Sequence, residues 1–99
     1  YFVNIIAMSD KYEVQEYPID GILDLHSFKP KEINSLIPEY ITECISRNIV
    51  EIRIIHGKGK GILRRGVHAI LERDPRVISF ETANDRSSWG ATVVHLTPA

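Results

Sequence analysis

From Ile19 onward the hydrophobic pattern of this chain switches between strand and helix periods, and that alternation admits few folds. In IDGILDLH, Leu23 and Leu25 fall on one side while Ile22, Asp24 and His26 fall on the other, as in a strand with one apolar and one partly polar face. Ile33, Leu36, Ile37, Tyr40, Ile41, Cys44 and Ile45 then recur at helical spacing, the stripe of an amphipathic helix. Pro30 suits the first turn of that helix. Pro38 falls inside it and removes a backbone donor, which predicts a kink or a restart. VEIRII is a β-branched run in which Glu51 and Arg53 alternate with Ile52 and Ile54, a second strand. Leu63, Val67, Ile70 and Leu71 restore the helical spacing until Asp74 and Pro75 stop it. VISFET and ATVVHL close the chain as two strands around the turn-rich ANDRSSWG.

The order is therefore βαβαββ. A strand–helix–strand succession makes a right-handed crossover with parallel strands, whereas the last two strands, joined by a short loop, are expected to be antiparallel. Strands that alternate in polarity are covered on one face only. The expected fold is a two-layer α/β sandwich: a four-stranded mixed sheet with two helices on one face, its other face open to a ligand. With 99 residues the chain suffices for one domain, placed at 19–99. Residues 1–18 read as a partly disordered lead-in, apolar over about eight residues and polar from Ser9 to Pro18, with Pro18 marking where order begins and Met8 as the natural first residue.

Twelve Lys and Arg against thirteen Asp and Glu give a net charge of −1, so affinity for a polyanion must come from a local patch. Cys44 is the only cysteine, which excludes an internal disulfide and favours a reducing, cytoplasmic setting. The apolar start is too short to span a bilayer and lacks a charged leader, so no membrane association is expected.

Parallel pairing of the first two strands brings Asp24, His26 and His56 to the carboxyl edge of the sheet, where α/β proteins commonly bind ligands. There RIIHGKGKGILRRG places Gly57, Gly59 and Gly61 just before a helix, among Lys58, Lys60, Arg64 and Arg65. Glycines allow close backbone approach, and a helix amino end favours an anion. The cations add what a polyanion requires. Taken alone, the glycines fit a solvated loop better than a ligand site; the histidine before them and the facing Asp-x-His shift the reading towards a site.

LDLH (23–26), IIHGKGKGILR (54–64) and GATVVHL (90–96) resemble, in order and spacing, the three blocks of the Smr, or small MutS-related, domain family. The resemblance spans roughly Ile19 to Leu96. It implies a fold similar to the carboxyl-terminal domain of a translation initiation factor, and a nuclease class whose members nick DNA or cleave RNA. It places Asp24 and His26 on the family's D-x-H positions and His56, Gly57, Lys58 and Gly59 on its H-G-x-G loop. Two departures stand out. Ser27 occupies a position where the family usually has Gly, and SSWG replaces a glycine pair before the last block. Trp89 there supplies either a stacking surface for a base or a cap on the core.

The expected chemistry is phosphodiester cleavage in DNA or RNA. His26 and His56 share the acid and base roles, Asp24 orients His26 or holds a cation, and Lys58 with the Gly57 and Gly59 amides stabilises the developing charge. Lys60, Arg64 and Thr92 are candidate phosphate contacts, Thr92 being equally suited to a plain strand position. No metal set is assigned, since several carboxylates are wanting, although a divalent cation at Asp24 is compatible. His68 and His95 receive no role, Cys44 reads as a core residue, and Glu81 and Arg53 as solvated positions on the open face. The alternatives are a noncatalytic nucleic-acid-binding module and, more remotely, a site for a small phosphorylated ligand. A monomer, working with a ribosome or a repair complex, is the expected setting.

Overall fold

The computed structural model describes residues 2–7, 13–26, 28–57, 61–83 and 90–98, with side chains from Ile19 onward. Strands β1 (Phe2–Ala7) and β2 (Glu13–Pro18) pair antiparallel, from Phe2↔Pro18 to Ala7↔Glu13, as a separate two-stranded sheet. The expectation of an irregular lead-in with order beginning at Pro18 is thereby corrected: β-branched Val3, Ile5, Ile6 and Val14 suit extended backbone. Met8 lies outside the described residues.

The remaining elements are β3 (Ile22–Asp24), a single 3-10 turn (Pro30–Glu32), α1 (Ile33–Ser46), β4 (Glu51–Ile55), α2 (Ile62–Arg73), β5 (Val77–Thr82) and β6 (Ala91–Leu96). The second sheet has the order β3-β4-β6-β5. β3 and β4 are parallel, with Asp24 opposite Ile55, and β6 runs antiparallel to both β4 and β5. The four-stranded mixed sheet with two helices is the architecture that the alternating periods imply.

One core forms on the helix side. Leu23, Leu25, Ile52, Ile54, Val94 and Leu96 from the sheet side meet Leu36, Ile37, Tyr40, Ile41 and Cys44 of α1 and Val67, Ile70 and Leu71 of α2, all buried. Burial of each large aliphatic side chain contributes roughly 1.5–3 kcal/mol. The cysteine thus acts as a small hydrophobe, and burial pushes its thiol up to about 11.

Pro38 does not restart the helix, because α1 runs unbroken from Ile33 to Ser46. Asn34, whose carbonyl loses its i+4 donor to the proline, is exposed, so water can replace the missing bond. The Pro38 carbonyl instead gathers partners: Thr42 Oγ1 donates to it at 3.1 Å and Arg76 Nη2 at 3.2 Å. Arg76 also pairs with Asp74 at 2.8 Å, strapping the α2–β5 turn to α1.

β3 is short, so its entry must be held by other means. The Gly21 N–H donates to Tyr40 Oη at 3.1 Å within the buried layer, and the Gly21 carbonyl accepts from Arg53 N–H at 2.7 Å. Replacing Tyr40 by Phe leaves that amide without its partner. We expect Tyr40→Phe to lower unfolding stability by about 1–2 kcal/mol in urea titrations; an unchanged midpoint would contradict this role.

Candidate functional site

β3 delivers two polar side chains to the carboxyl edge of the sheet. Leu25 is buried and its N–H donates to the Ile55 carbonyl at 2.9 Å, while the Phe28 N–H donates to the Leu25 carbonyl at 3.0 Å and Phe28 itself is buried. These anchors leave Asp24 and His26 pointing outward, with side chains 56% and 70% exposed. Asp24 Oδ1 accepts the His26 backbone N–H at 2.9 Å and also bonds the ring Nδ1 of His26. The backbone bond leads, with the ring bond behind it, in holding the Asp24 carboxyl below its usual range. A carboxylate only accepts, so Nδ1 carries the proton of that bond, and Nε2 is the other nitrogen of an exposed ring.

His56 reaches the same edge but the opposite face. Along β4 the side chains of Ile52 and Ile54 turn inward, and His56 continues that series, only 7% exposed. The register brings Asp24 level with Ile55 on the outer face, and His26, two residues on, is likewise exposed. The expected convergence of both histidines and the carboxylate is thus corrected: they share an edge and are separated by the sheet. Side-chain alternation along a strand forces this result.

Both ring nitrogens of His56 are occupied. Nδ1 lies 3.0 Å from the Gly57 carbonyl oxygen and Nε2 lies 2.9 Å from Thr92 Oγ1. The Thr92 oxygen also lies 2.9 Å from His68 Nε2. Thr92 is 0% exposed, which removes it from direct phosphate contact and corrects that expectation. His68, given no role from sequence, is the residue that sequence reasoning missed. Its position four residues after Arg64 and three before Leu71 sets it at the border of the buried stripe, and that spacing was the available signal.

The glycine loop begins pinned and ends at a helix. The His56 and Gly57 N–H groups both donate to the Gly90 carbonyl at 2.9 Å, so the Gly57 amide expected to face an anion is already engaged. Gly57 (φ 87°) and Gly61 (φ 81°) adopt left-handed backbone, which favours glycine at each. Lys58, Gly59 and Lys60, like Ser27 and Trp89, lie outside the described residues. At the amino end of α2, Gly61 is the N-cap, no side chain caps it and no acidic residue occupies the first turn. Leading N–H groups there have no partner within the helix. They border a concavity of about 340 Å³ lined by Pro30, His56, Gly57, Gly61, Ile62, Leu63 and Arg64.

The open sheet face offers less to a polyanion. Glu51 and Glu81 flank His95 there, at 3.6 and 3.1 Å from its ring nitrogens. Phe28 and Tyr40 are buried, and Phe80 packs against His68, so these rings provide no stacking platform. Among the described residues no group of three or more His, Cys, Asp and Glu side chains is placed to hold a metal ion, and no helix is long and apolar enough to cross a membrane.

The family model described as "Smr domain" matches residues 23–97. Endonuclease MutS2 of Finegoldia magna is 35% identical over 79 residues, 79% of this chain, and that of Leuconostoc mesenteroides is 37% identical over a stretch of the same length. The chain spans about a tenth of the length of these curated relatives. The crystal structure of the Smr domain of Thermus thermophilus MutS2 superposes with a TM-score of 0.71 at 32% identity, covering 78% of this chain and 98% of that domain. YdaL, a stand-alone small MutS-related protein from Escherichia coli, shares the fold at 24% identity and a TM-score of 0.70, covering 81% of this chain and 66% of its own. On this evidence of sequence and fold, the chain belongs to the Smr domain family.

Proposed function

We propose that this domain binds nucleic acid along the carboxyl edge of its sheet and cleaves a phosphodiester bond there. The observation that carries the reading is the outward Asp24–His26 pair, at the same sheet edge as the uncapped amino end of α2 with Arg64 and Arg65 in its first turn. The names of the MutS2 relatives, endonucleases by title, support the same class.

In this reading His26 Nε2 takes the proton from the attacking hydroxyl, either water or the 2′-hydroxyl of RNA, as that oxygen bonds to phosphorus. Asp24 holds the ring in the tautomer that leaves Nε2 basic and stabilises the imidazolium formed. The leaving oxygen is protonated by solvent at this exposed edge or by the imidazolium in turn. Lys58, Lys60 and Arg64, with the leading amides of α2, receive the phosphate and its developing charge. His56 is assigned here to positioning instead of proton transfer, since both its nitrogens are engaged. With a single outward imidazole the second reading, a binding module without cleavage, also has an observation behind it. Action beside a ribosome or repair complex, as a monomer in the cytoplasm, belongs to the same proposal.

Two measurements test the reading. His26→Ala is expected to reduce cleavage of labelled single-stranded RNA, duplex RNA or supercoiled plasmid by about a hundredfold or more, with Asp24→Asn showing a smaller loss. Cleavage by wild type that survives in His26→Ala would contradict the assignment, and absence of cleavage with retained binding would favour the binding module. Binding to the same nucleic acids should weaken with salt, log Kd changing by roughly 2–3 per decade of salt, and Arg64→Gln should lower that slope by about one. A slope near zero would point to a single-phosphate ligand.

A further inference from the structure

Thr92 joins two imidazoles held by different elements, and the chemistry of the groups fixes the direction of each proton between them. The Gly57 carbonyl can only accept, so His56 Nδ1, at 3.0 Å, carries a proton. In the neutral ring Nε2 is then an acceptor, and the Thr92 hydroxyl at 2.9 Å donates to it. The same oxygen retains lone pairs, and His68 Nε2–H donates to one at 2.9 Å. His68 itself is held from α2 against Phe80 of β5, ring centroids 4.9 Å apart, and stands edge-on to His56 at 6.3 Å.

We propose that His68 is a positioning residue for the nucleic-acid loop: through Thr92 it keeps His56 in its Nδ1–H tautomer, and His56 in turn holds the Gly57 carbonyl where the loop leaves β4. The inference rests on reading that edge as the nucleic-acid site. It adds a residue outside the three sequence blocks and links α2 to both ends of the loop, since α2 also supplies the loop's exit at Gly61.

The chain of bonds is complete only while His56 is neutral, since His68 donates from Nε2 in either protonation state. A second proton on His56 would turn Nε2 into a donor and leave the buried Thr92 proton without an acceptor. Burial, and after it the Arg64 guanidinium, hold His56 below the usual histidine range, opposed by the Gly57 carbonyl; burial, His56 and Arg64 do the same for His68, opposed by Glu72. The neutral rings therefore belong to the folded form. Their contribution to stability is full above the ordinary value of about 6.5 and is lost as pH falls below it through the lowered folded values.

Long-range proton–nitrogen NMR of the imidazoles tests the proposal directly. At neutral pH wild type should show His56 as Nδ1–H and His68 as Nε2–H. His68→Gln, which keeps a donor but does not titrate, should preserve the His56 tautomer and bind a single-stranded RNA oligonucleotide within about twofold of wild type. Its stability should also fall less steeply between about pH 7 and about pH 5. His68→Leu should mix the His56 tautomers and weaken binding by about fivefold or more. If His68→Leu does not fold, Thr92→Val read in the same spectra takes its place. His56 found as Nε2–H in wild type, or an unchanged tautomer and affinity in His68→Leu, would overturn the proposal. Expected tautomers that respond to His68→Leu in a protein that binds no nucleic acid would overturn the functional reading and leave the His68 assignment standing.

Discussion

The pairing of Asp24 with Ile55 across β3 and β4 decides what this site can be. Side chains alternate along a strand, so once that register is set, Asp24 and His26 must face solvent and His56 must face the helices. A shift of one residue would bury the carboxylate and expose the core leucines, and the penalty against that shift is the burial of Leu23, Leu25, Ile52 and Ile54. The apolar core and the placement of the outward Asp24–His26 pair are in this sense one constraint. The Tyr40 hydroxyl at Gly21 and the Ile55 carbonyl at Leu25 hold the short strand at its two ends.

Below the outer pair lies a second, buried polar layer around His56, Gly57 and Thr92. The Gly90 carbonyl gathers the backbone N–H groups of His56 and Gly57, while the His56 ring spans from the Gly57 carbonyl to Thr92. Threonine at position 92 is explained by this layer: from β6 it directly opposes Ile54 of β4 and supplies a hydroxyl where a valine would leave the imidazole nitrogen unmatched. The third sequence block thus supports the second from within and presents no contact of Thr92 to the surface. The exposed Asp24–His26 pair and the buried His56–Thr92 layer sit on opposite faces of a single sheet edge.

Much of this was legible in the sequence, and the limits follow from physical causes. Periodicity recovered the helices and strands from Ile19 onward because each has a clear apolar face, as with Leu36, Ile37, Tyr40 and Ile41 on α1. It did not recover the β1–β2 hairpin, whose strands lie apart from the four-stranded sheet. Of the two outcomes that a proline inside a helix allows, the restart does not occur at Pro38, where an exposed Asn34 lets water take up the freed carbonyl. For the site, spacing located Asp24, His26 and His56 at one edge, but burial decides which side of the sheet each meets. His68 and Thr92 were opaque for a related reason: a hydrogen bond between residues 24 apart in sequence leaves no periodic trace. Engagement of the Gly57 amide by Gly90 is likewise a long-range fact.

The most direct measurement of the central claim is a backbone amide chemical-shift map recorded while a short RNA or DNA oligonucleotide is titrated into the protein. The account predicts that the largest changes fall on Asp24, His26, Gly57 and the first turn of α2 from Gly61 to Arg64, the residues gathered at the carboxyl edge. Changes centred instead on Glu51, Glu81 and His95 of the open sheet face, with that edge unaffected, would contradict it.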